Sequence, residues 1–216
     1  MGRTIRAHEE EIYEALRKDL NKSKTEAYMC EIGMTLAELS YMLKHIDGWA
    51  RKRNMLSPIA QFSSDSFTIR EPYGVVLIMS PWNYPFMLTL ELGGKSPCVV
   101  EKSAKLNLTA KRIAFGKLLN CGQTCVAPDY ILVERSVKDE FLGYLKKWIV
   151  KMYGENATEN GDYVKIINQK HFDRVCGLID QKKVVFGGKW NEETMQIQPT
   201  IMDNVVAGDA IIFPSL

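Results

Sequence analysis

The sequence predicts an α/β protein with a helical segment at its N-terminus. Three observations carry this prediction. Apolar residues recur at helical spacing before residue 50, short apolar runs bounded by turn residues begin at Phe67, and strand and helix patterns alternate between Cys98 and Glu134. The alternation of strand, helix and strand is the βαβ pattern of a parallel sheet with a covering helix.

Two amphipathic helices are predicted before residue 50. The first carries apolar residues from Ile5 to Leu20, and the second runs from about Thr25 to Asp47. The second has an apolar stripe with alternating steps of three and four: Met29, Ile32, Leu36, Leu39, Leu43 and Ile46. A stripe of this kind is expected to pack against another part of the protein.

A strand pair is predicted next, with Phe67–Glu71 and Val75–Met79 joined by a turn. Further strands are predicted at Cys98–Glu101 and Tyr130–Glu134. Between them, Asn107 is a candidate cap for a helix that ends near residue 119.

The last third of the chain predicts more helices and strands. Ser136 is a candidate cap for a helix that ends at Tyr153-Gly154 and has one apolar face: Phe141, Leu142, Leu145, Trp148, Ile149 and Met152. A shorter helix is expected at His171–Ile179. Strands are expected at Val184–Phe186, before a Gly-Gly turn, and at Ile197–Met202.

The composition favours a protein with small-molecule or protein partners. Of the 216 residues, 46% are hydrophobic, and the formal net charge is only +2, so no strong field attracts nucleic acid or an anionic membrane. Five cysteines without a compact framework predict reduced thiols and a cytoplasmic location. The longest apolar run, Gly74–Met79, is too short to cross a bilayer.

The segment Asn120-Cys-Gly-Gln-Thr-Cys125 is the first candidate for chemistry, because it lies in a predicted loop between a helix and a strand. A catalytic cysteine needs surroundings that favour its thiolate, such as backbone N–H groups or a positive charge. Taken alone, two cysteines four residues apart also fit packed structural thiols or part of a zinc site. The other His and Cys residues show no metal-ligand spacing, so no metal is predicted.

Two further segments carry polar groups with a possible role in catalysis. Glu91 precedes a Gly-Gly pair and is a candidate general base, although a solvated acid in a turn has the same appearance. Asn83 lies in Pro81-Trp-Asn-Tyr-Pro85 and is a candidate donor to an oxyanion, although aromatic residues flanked by prolines also close cores.

Together the three segments resemble the signature of the aldehyde dehydrogenase superfamily, and more closely its class 3-like branch that acts on fatty and aromatic aldehydes. Ser80–Pro85 resembles the oxyanion loop, Glu91–Lys95 the general-base motif and Gly122–Cys125 the nucleophile motif, in the order of that family. The resemblance implies a catalytic α/β domain at residues 91–216. It also implies that residues 1–90 hold the N-terminal helices and strands of an incomplete Rossmann-like cofactor domain.

The resemblance also implies a mechanism. Cys125 attacks the aldehyde carbon, and the oxyanion is held by the Asn83 amide and the Cys125 N–H. A hydride passes to NAD or NADP, and Glu91 activates the water that releases the acid. Cofactor contacts are implied for Pro81, Trp82 and Gly93, and a homodimer is expected.

One departure from the family is large. Asn83 and Glu91 are eight residues apart, whereas the family has a long nucleotide-binding region there, and one βαβ unit takes roughly thirty residues. The stretch Ile211-Ile-Phe-Pro-Ser215 also lacks the acidic residue expected for the nicotinamide ribose. The sequence is either an incomplete view of a longer dehydrogenase or a shortened relative, acting as a cofactor-free thiol esterase or a regulatory partner.

Overall fold

A computed structural model describes residues 1–59, 63–75, 81–87 and 95–212 of the chain. In chain order the helices are α1 Gly2–Ala7, α2 Glu9–Leu20, α3 Lys24–Ala27, α4 Gly33–Ala50, α5 Leu106–Leu118, α6 Lys138–Tyr153 and α7 Gln169–Cys176. The strands are β1 Arg53–Met55, β2 Ser66–Thr68, β3 Pro97–Val100, β4 Tyr130–Val133, β5 Val184–Phe186, β6 Trp190–Asn191, β7 Gln196–Ile197 and β8 Ile201–Met202.

The first predicted helix is present as two helices, α1 and α2, which meet at His8. On α2 the buried residues Tyr13, Leu16 and Leu20 follow the predicted helical spacing. The helix ends at Asn21, whose left-handed backbone (φ 60°) lets its N–H donate to the carbonyl of Arg17.

The second predicted helix is also present, from α3 to α4, with a π-helical turn at Tyr28–Ile32 between them. The predicted packing of its apolar stripe is present only in the first part, at Ile32 and Leu36. Ile32 is fully buried, whereas Leu43 is 66% and Ile46 is 54% exposed. The spacing of apolar residues shows that one face of a helix is apolar, but it does not show which element covers that face. Among the described residues, no element covers the C-terminal half of α4.

The βαβ prediction is confirmed, because β3 and β4 pair in parallel, with Pro97 opposite Tyr130 and Val100 opposite Val133. Helices α5 and α6 cover this pair. Their buried residues form one core: Val100, Ala110, Ala114, Leu118, Phe141, Leu145 and Ile149. This core supports the turn that follows α5, where the predicted nucleophile motif begins.

Both predicted caps on these helices are wrong. Helix α5 follows Lys105 without a side-chain cap, and Asn107 instead accepts a hydrogen bond from Trp148 Nε1 at 2.7 Å. Ser136 lies in a 3-10 turn before α6, and its hydroxyl donates to the Glu134 carboxylate at 2.8 Å. A polar side chain near a helix start can bond elsewhere, and only the fold decides which partner it meets.

The remaining strands form short antiparallel pairs. Strand β2 pairs with β1, while the partner predicted at Val75–Met79 lies, after its first residue, outside the described residues. The predicted strand at 197–202 is divided into β7, paired with β6, and β8, paired with β5. Gly187 (φ 73°) permits the approach of β5 and β8, since a Cβ there would lie 2.1 Å from the Pro199 carbonyl oxygen.

Within the described ranges, every helix is either too short or too polar to cross a membrane.

Candidate active site

Two loops distant in sequence meet at the site. One is the loop at 81–87, and the other runs from the turn after α5 to Ala127. Asn83 Nδ2 donates to the Gln123 carbonyl at 2.8 Å, and the hydroxyls of Tyr84 and Thr124 are 2.6 Å apart. The structure therefore brings the predicted oxyanion donor beside the loop of the predicted nucleophile, although 40 residues separate the bonded pairs.

The turn that precedes the predicted nucleophile, Cys125, has an uncommon backbone; it is called the nucleophile turn below. Asn120, Cys121 and Gly122 are all left-handed, with φ values of 52°, 54° and 76°. Asparagine and glycine tolerate this region, whereas a cysteine there must be held by its surroundings. The surroundings include Glu26, whose Oε1 accepts from the Asn120 N–H at 2.6 Å.

Glu26 is buried, and burial raises the pKa of its carboxyl although the Asn120 N–H opposes the rise. The contact ties helix α3 to the nucleophile turn across 94 residues of sequence. The turn is thus anchored from the N-terminal segment.

Gln123 anchors the loop of the predicted nucleophile, residues 120–127 and called the nucleophile loop below, on its other side. Its Nε2 donates to the carbonyls of Asn120 and Lys165 at 3.2 and 3.1 Å, and its Oε1 accepts from the Ile167 N–H at 3.4 Å. With donor and acceptor both used, the side chain holds the loop against the segment at 165–167. The following residues turn back, with the Ala127 N–H bonded to the Thr124 carbonyl at 3.0 Å.

Asn83 is 8% exposed, and not all of its polar atoms have hydrogen-bond partners among the described residues. Its backbone carbonyl accepts from Lys22 Nζ at 3.1 Å and from Asn120 Nδ2 at 2.8 Å. Its side-chain Oδ1 is buried and has no partner among the described residues. An unpaired buried polar atom of this kind costs about 1 to 3 kcal/mol of stability.

The cysteines near the site differ in access. Cys125 is exposed, whereas Cys30 is buried and Cys121 is half-buried. Burial raises the pKa of Cys30 to about 11 and that of Cys121 to about 11. The Cys121 thiol lies 3.1 Å from the Tyr163 hydroxyl, which itself donates to the Ile197 carbonyl at 2.8 Å. Of these three cysteines, Cys125 is therefore the one that a substrate can reach.

The other predicted site residues are only partly located. Trp82 is 40% exposed, with its ring centroid 5.3 Å from that of His171, and Pro81 is half-buried. Glu91 and Gly93 lie outside the described residues, as does the predicted domain boundary between residues 90 and 91. Within the described ranges, no group of three or more His, Cys, Asp or Glu side chains could hold a metal ion.

Sequence reasoning missed the side chains that hold this site in place. They are Lys22, Glu26, Glu31, Asn120 and Gln123. One signal was available, since an Asn two residues before a Gly directly after a helix favours a left-handed turn. The anchoring role of the acids had no local signal, because each acts on a distant segment.

The chain matches the Aldehyde dehydrogenase family over residues 1–90 and 87–213. It is 32% identical to the 4,4'-diaponeurosporen-aldehyde dehydrogenase of Staphylococcus aureus, over 98% of this chain and 66% of the relative. It is 31% identical to the dimeric NADP-preferring aldehyde dehydrogenase of Canis lupus familiaris, over 95% of this chain and 64% of the relative. The chain thus spans less than two thirds of these relatives.

Solved structures agree with the fold prediction. The substrate-bound state of Staphylococcus aureus AldH superimposes with a TM-score of 0.93 at 31% identity, over 98% of this chain and 66% of that one. A structure of Gox0499, at 15% identity, has a TM-score of 0.83 and supports the fold alone. The predicted α/β class is confirmed.

The matches also bear on the missing central segment. The two matched parts of the family meet and overlap at residues 87–90. The alignment with the Staphylococcus aureus relative runs over 301 residues, although this chain has 216. The relative therefore has residues without a counterpart here, as predicted from the short spacing between Asn83 and Glu91.

Proposed function

The chain belongs to the aldehyde dehydrogenase family. We therefore propose that it catalyses the oxidation of an aldehyde to a carboxylic acid with NAD or NADP, and that Cys125 is the nucleophile. The observation that carries the proposal is the hydrogen bond between Asn83 Nδ2 and the Gln123 carbonyl. It sets an amide donor beside the loop whose exposed thiol, Cys125, is open to substrate.

The first step starts from the Cys125 thiolate, whose Sγ forms a bond with the carbonyl carbon while the π electrons of the C=O bond move to its oxygen. An amide nitrogen carries two hydrogens, and Gln123 accepts one of those on Asn83. The other hydrogen and the Cys125 N–H are the proposed donors to the oxyanion. Removing one such donor typically costs about 3 to 4 kcal/mol of transition-state stabilisation.

The later steps complete the electron balance. NAD or NADP, when bound, supplies the acceptor for the hydride that leaves the captured carbon, so that a thioester remains on Cys125. Glu91 then takes a proton from water, the water oxygen bonds to the thioester carbon, and the C–S bond breaks to return the thiolate. The aldehyde carbon is oxidised, and the acid is released.

The residues present suit one end of the cofactor better than the other. The half-exposed Trp82 ring, next to Asn83 on the same loop, offers a flat surface for the nicotinamide end. The family resemblance also implies contacts from Pro81 and Gly93. The pyrophosphate end needs a βαβ unit with a glycine-rich turn. In the described part of the chain the parallel pair is β3–β4, and the residues after β3, Glu101-Lys-Ser-Ala-Lys105, contain no glycine.

The test combines the intact mass of the purified protein with NAD(P)H production from an aliphatic aldehyde. Cys125→Ala should abolish turnover, and Cys176→Ala, a half-buried thiol far along the chain, should leave it unchanged. A mass near 24.6 kDa without cofactor reduction refutes the dehydrogenase proposal for this molecule. Cys125-dependent hydrolysis of an aryl ester in that preparation would instead indicate the cofactor-free esterase.

The proposal extends to domains, location and assembly. Residues 1–90 belong to the cofactor-binding part and residues 91–216 to the catalytic part, and the site lies where they meet. Free cysteines within the described residues fit the reducing cytoplasm. A homodimer is proposed because the canine relative is named as dimeric, and light scattering of the purified protein would measure it.

A further inference from the structure

A fully buried ion pair lies beneath the loop of Asn83. Lys22 Nζ and Glu31 Oε1 are 2.5 Å apart, and neither side chain has any exposed surface. Burying two charges carries a large desolvation cost, and apolar residues of similar volume often serve stability equally well. The pair therefore needs an explanation other than stability.

Both partners of the pair also bond to the backbone of that loop. Lys22 Nζ donates to the Asn83 carbonyl at 3.1 Å, and Glu31 Oε2 accepts from the Phe86 N–H at 2.8 Å. The ammonium also lies 4.5 Å from the centre of the Tyr84 ring. The loop is thus held at two backbone positions three residues apart, on either side of Tyr84.

The local backbone structure places the two charged residues. Lys22 lies between the left-handed Asn21 and Ser23, whose hydroxyl caps α3 by accepting from the Glu26 N–H at 3.2 Å. Glu31 lies in the π-helical turn, which buries it together with Cys30 and Ile32. Turns of this kind occur frequently at functional sites.

We propose that Lys22 and Glu31 are positioning residues for Asn83. By fixing the Asn83 carbonyl and the Phe86 N–H, they keep the Asn83 amide directed at the nucleophile loop, where it bonds the Gln123 carbonyl. Neither residue touches the reacting atoms. This inference rests on the proposed function for its effect on turnover, but the effect on loop order is independent of it.

The test compares a variant that removes the buried ion pair with a control substitution in an exposed ion pair. Lys22→Met alone leaves a buried carboxylate without its positive counter-charge and can prevent folding, so the main variant is the double Lys22→Met/Glu31→Met, which removes both charges. Lys24→Met is the control, because Lys24 forms an ion pair with Glu10 in which both side chains are about 70% exposed. Each is compared with the unaltered protein.

Two readouts follow. Hydrogen exchange by mass spectrometry measures the amides at 81–87, with peptides from α5 and α6 as internal references. The turnover number and KM for aldehyde are measured for the double variant, with and without Asn83→Ala. A residue that acts through Asn83 loses its effect once the Asn83 amide is gone.

We expect exchange at 81–87 to rise at least about 10-fold in the double variant, with α5 and α6 unchanged. The turnover number should fall about 10- to 100-fold, as misplacement of a catalytic group by about 1 Å does, with KM changed less. In the Asn83→Ala background the double substitution should cost almost no further turnover. Lys24→Met should change none of these quantities.

Other results overturn the inference. Exchange that rises equally in α5 and α6 shows general destabilisation, and unchanged exchange at 81–87 shows that the loop does not depend on the pair. A loss of turnover that persists fully in the Asn83→Ala background excludes action through Asn83. If the unaltered protein lacks turnover while exchange rises only at 81–87, the proposed function fails and the positioning role stands.

Discussion

Asn83→Ala should separate catalysis from stability. The substitution removes the hydrogen bond to the Gln123 carbonyl, a loss of about 0.5 to 1.5 kcal/mol. It also removes the buried Oδ1 that has no partner among the described residues, which relieves a penalty of about 1 to 3 kcal/mol. The two effects oppose each other, so the net change in the free energy of unfolding should lie between a loss of about 0.5 and a gain of about 2.5 kcal/mol.

Turnover should respond much more strongly to the same substitution. If Asn83 donates to the oxyanion, the turnover number should fall about 10²- to 10³-fold. Stability is measured by urea denaturation, and turnover by NAD(P)H production or ester hydrolysis.

A second asparagine provides the control for this prediction. Asn107→Ala removes an exposed amide, which bonds Trp148 Nε1, and should leave turnover intact. Near-normal turnover in Asn83→Ala refutes the oxyanion role. A stability loss above about 3 kcal/mol would show that the energetic reasoning about Oδ1 is wrong.

Three further predictions concern the folded chain. Burial raises the pKa of Cys30 to about 11 from a usual value of 9.0, so the native state holds that proton more tightly. Stability should therefore fall as the pH rises from about 9 through about 11, and Cys30→Ala should flatten this fall in pH-dependent denaturation. Phe141→Ala should lower the free energy of unfolding by about 3 to 5 kcal/mol, because the ring is 1% exposed. Phe115, which is 52% exposed, is the control, and Phe115→Ala should cost less than about 1 kcal/mol. Equal losses of the two variants in thermal unfolding would contradict this. Gly187→Ala should lower the free energy of unfolding by roughly 2 to 4 kcal/mol, because the added Cβ meets a backbone carbonyl. At the control position, Gly143, a Cβ meets nothing within 4 Å, so Gly143→Ala should raise the free energy of unfolding by up to about 1 kcal/mol.

Local pattern accounts for most of the elements. The apolar spacing on α2 and α6 and the short runs at β3 and β4 were sufficient to predict them, because side chains repeat every 3.6 residues on a helix and every two on a strand. Caps were predicted poorly. Asn107 and Ser136 bond to Trp148 and Glu134, and a hydroxyl or amide near a helix start has several partners of similar energy.

The sequence by itself determined the βαβ unit, the order of the three motifs and the candidate roles of Asn83, Glu91 and Cys125. It also indicated the missing central segment, since the spacing of two motifs can be counted directly. Only the tertiary structure decided that Asn83 meets the nucleophile loop and that a buried ion pair holds it there. Those contacts join residues that are 40 and 61 positions apart in the sequence. A local pattern carries no information about such a distant partner. The packing of whole helices and strands decides which distant polar groups become hydrogen-bond partners.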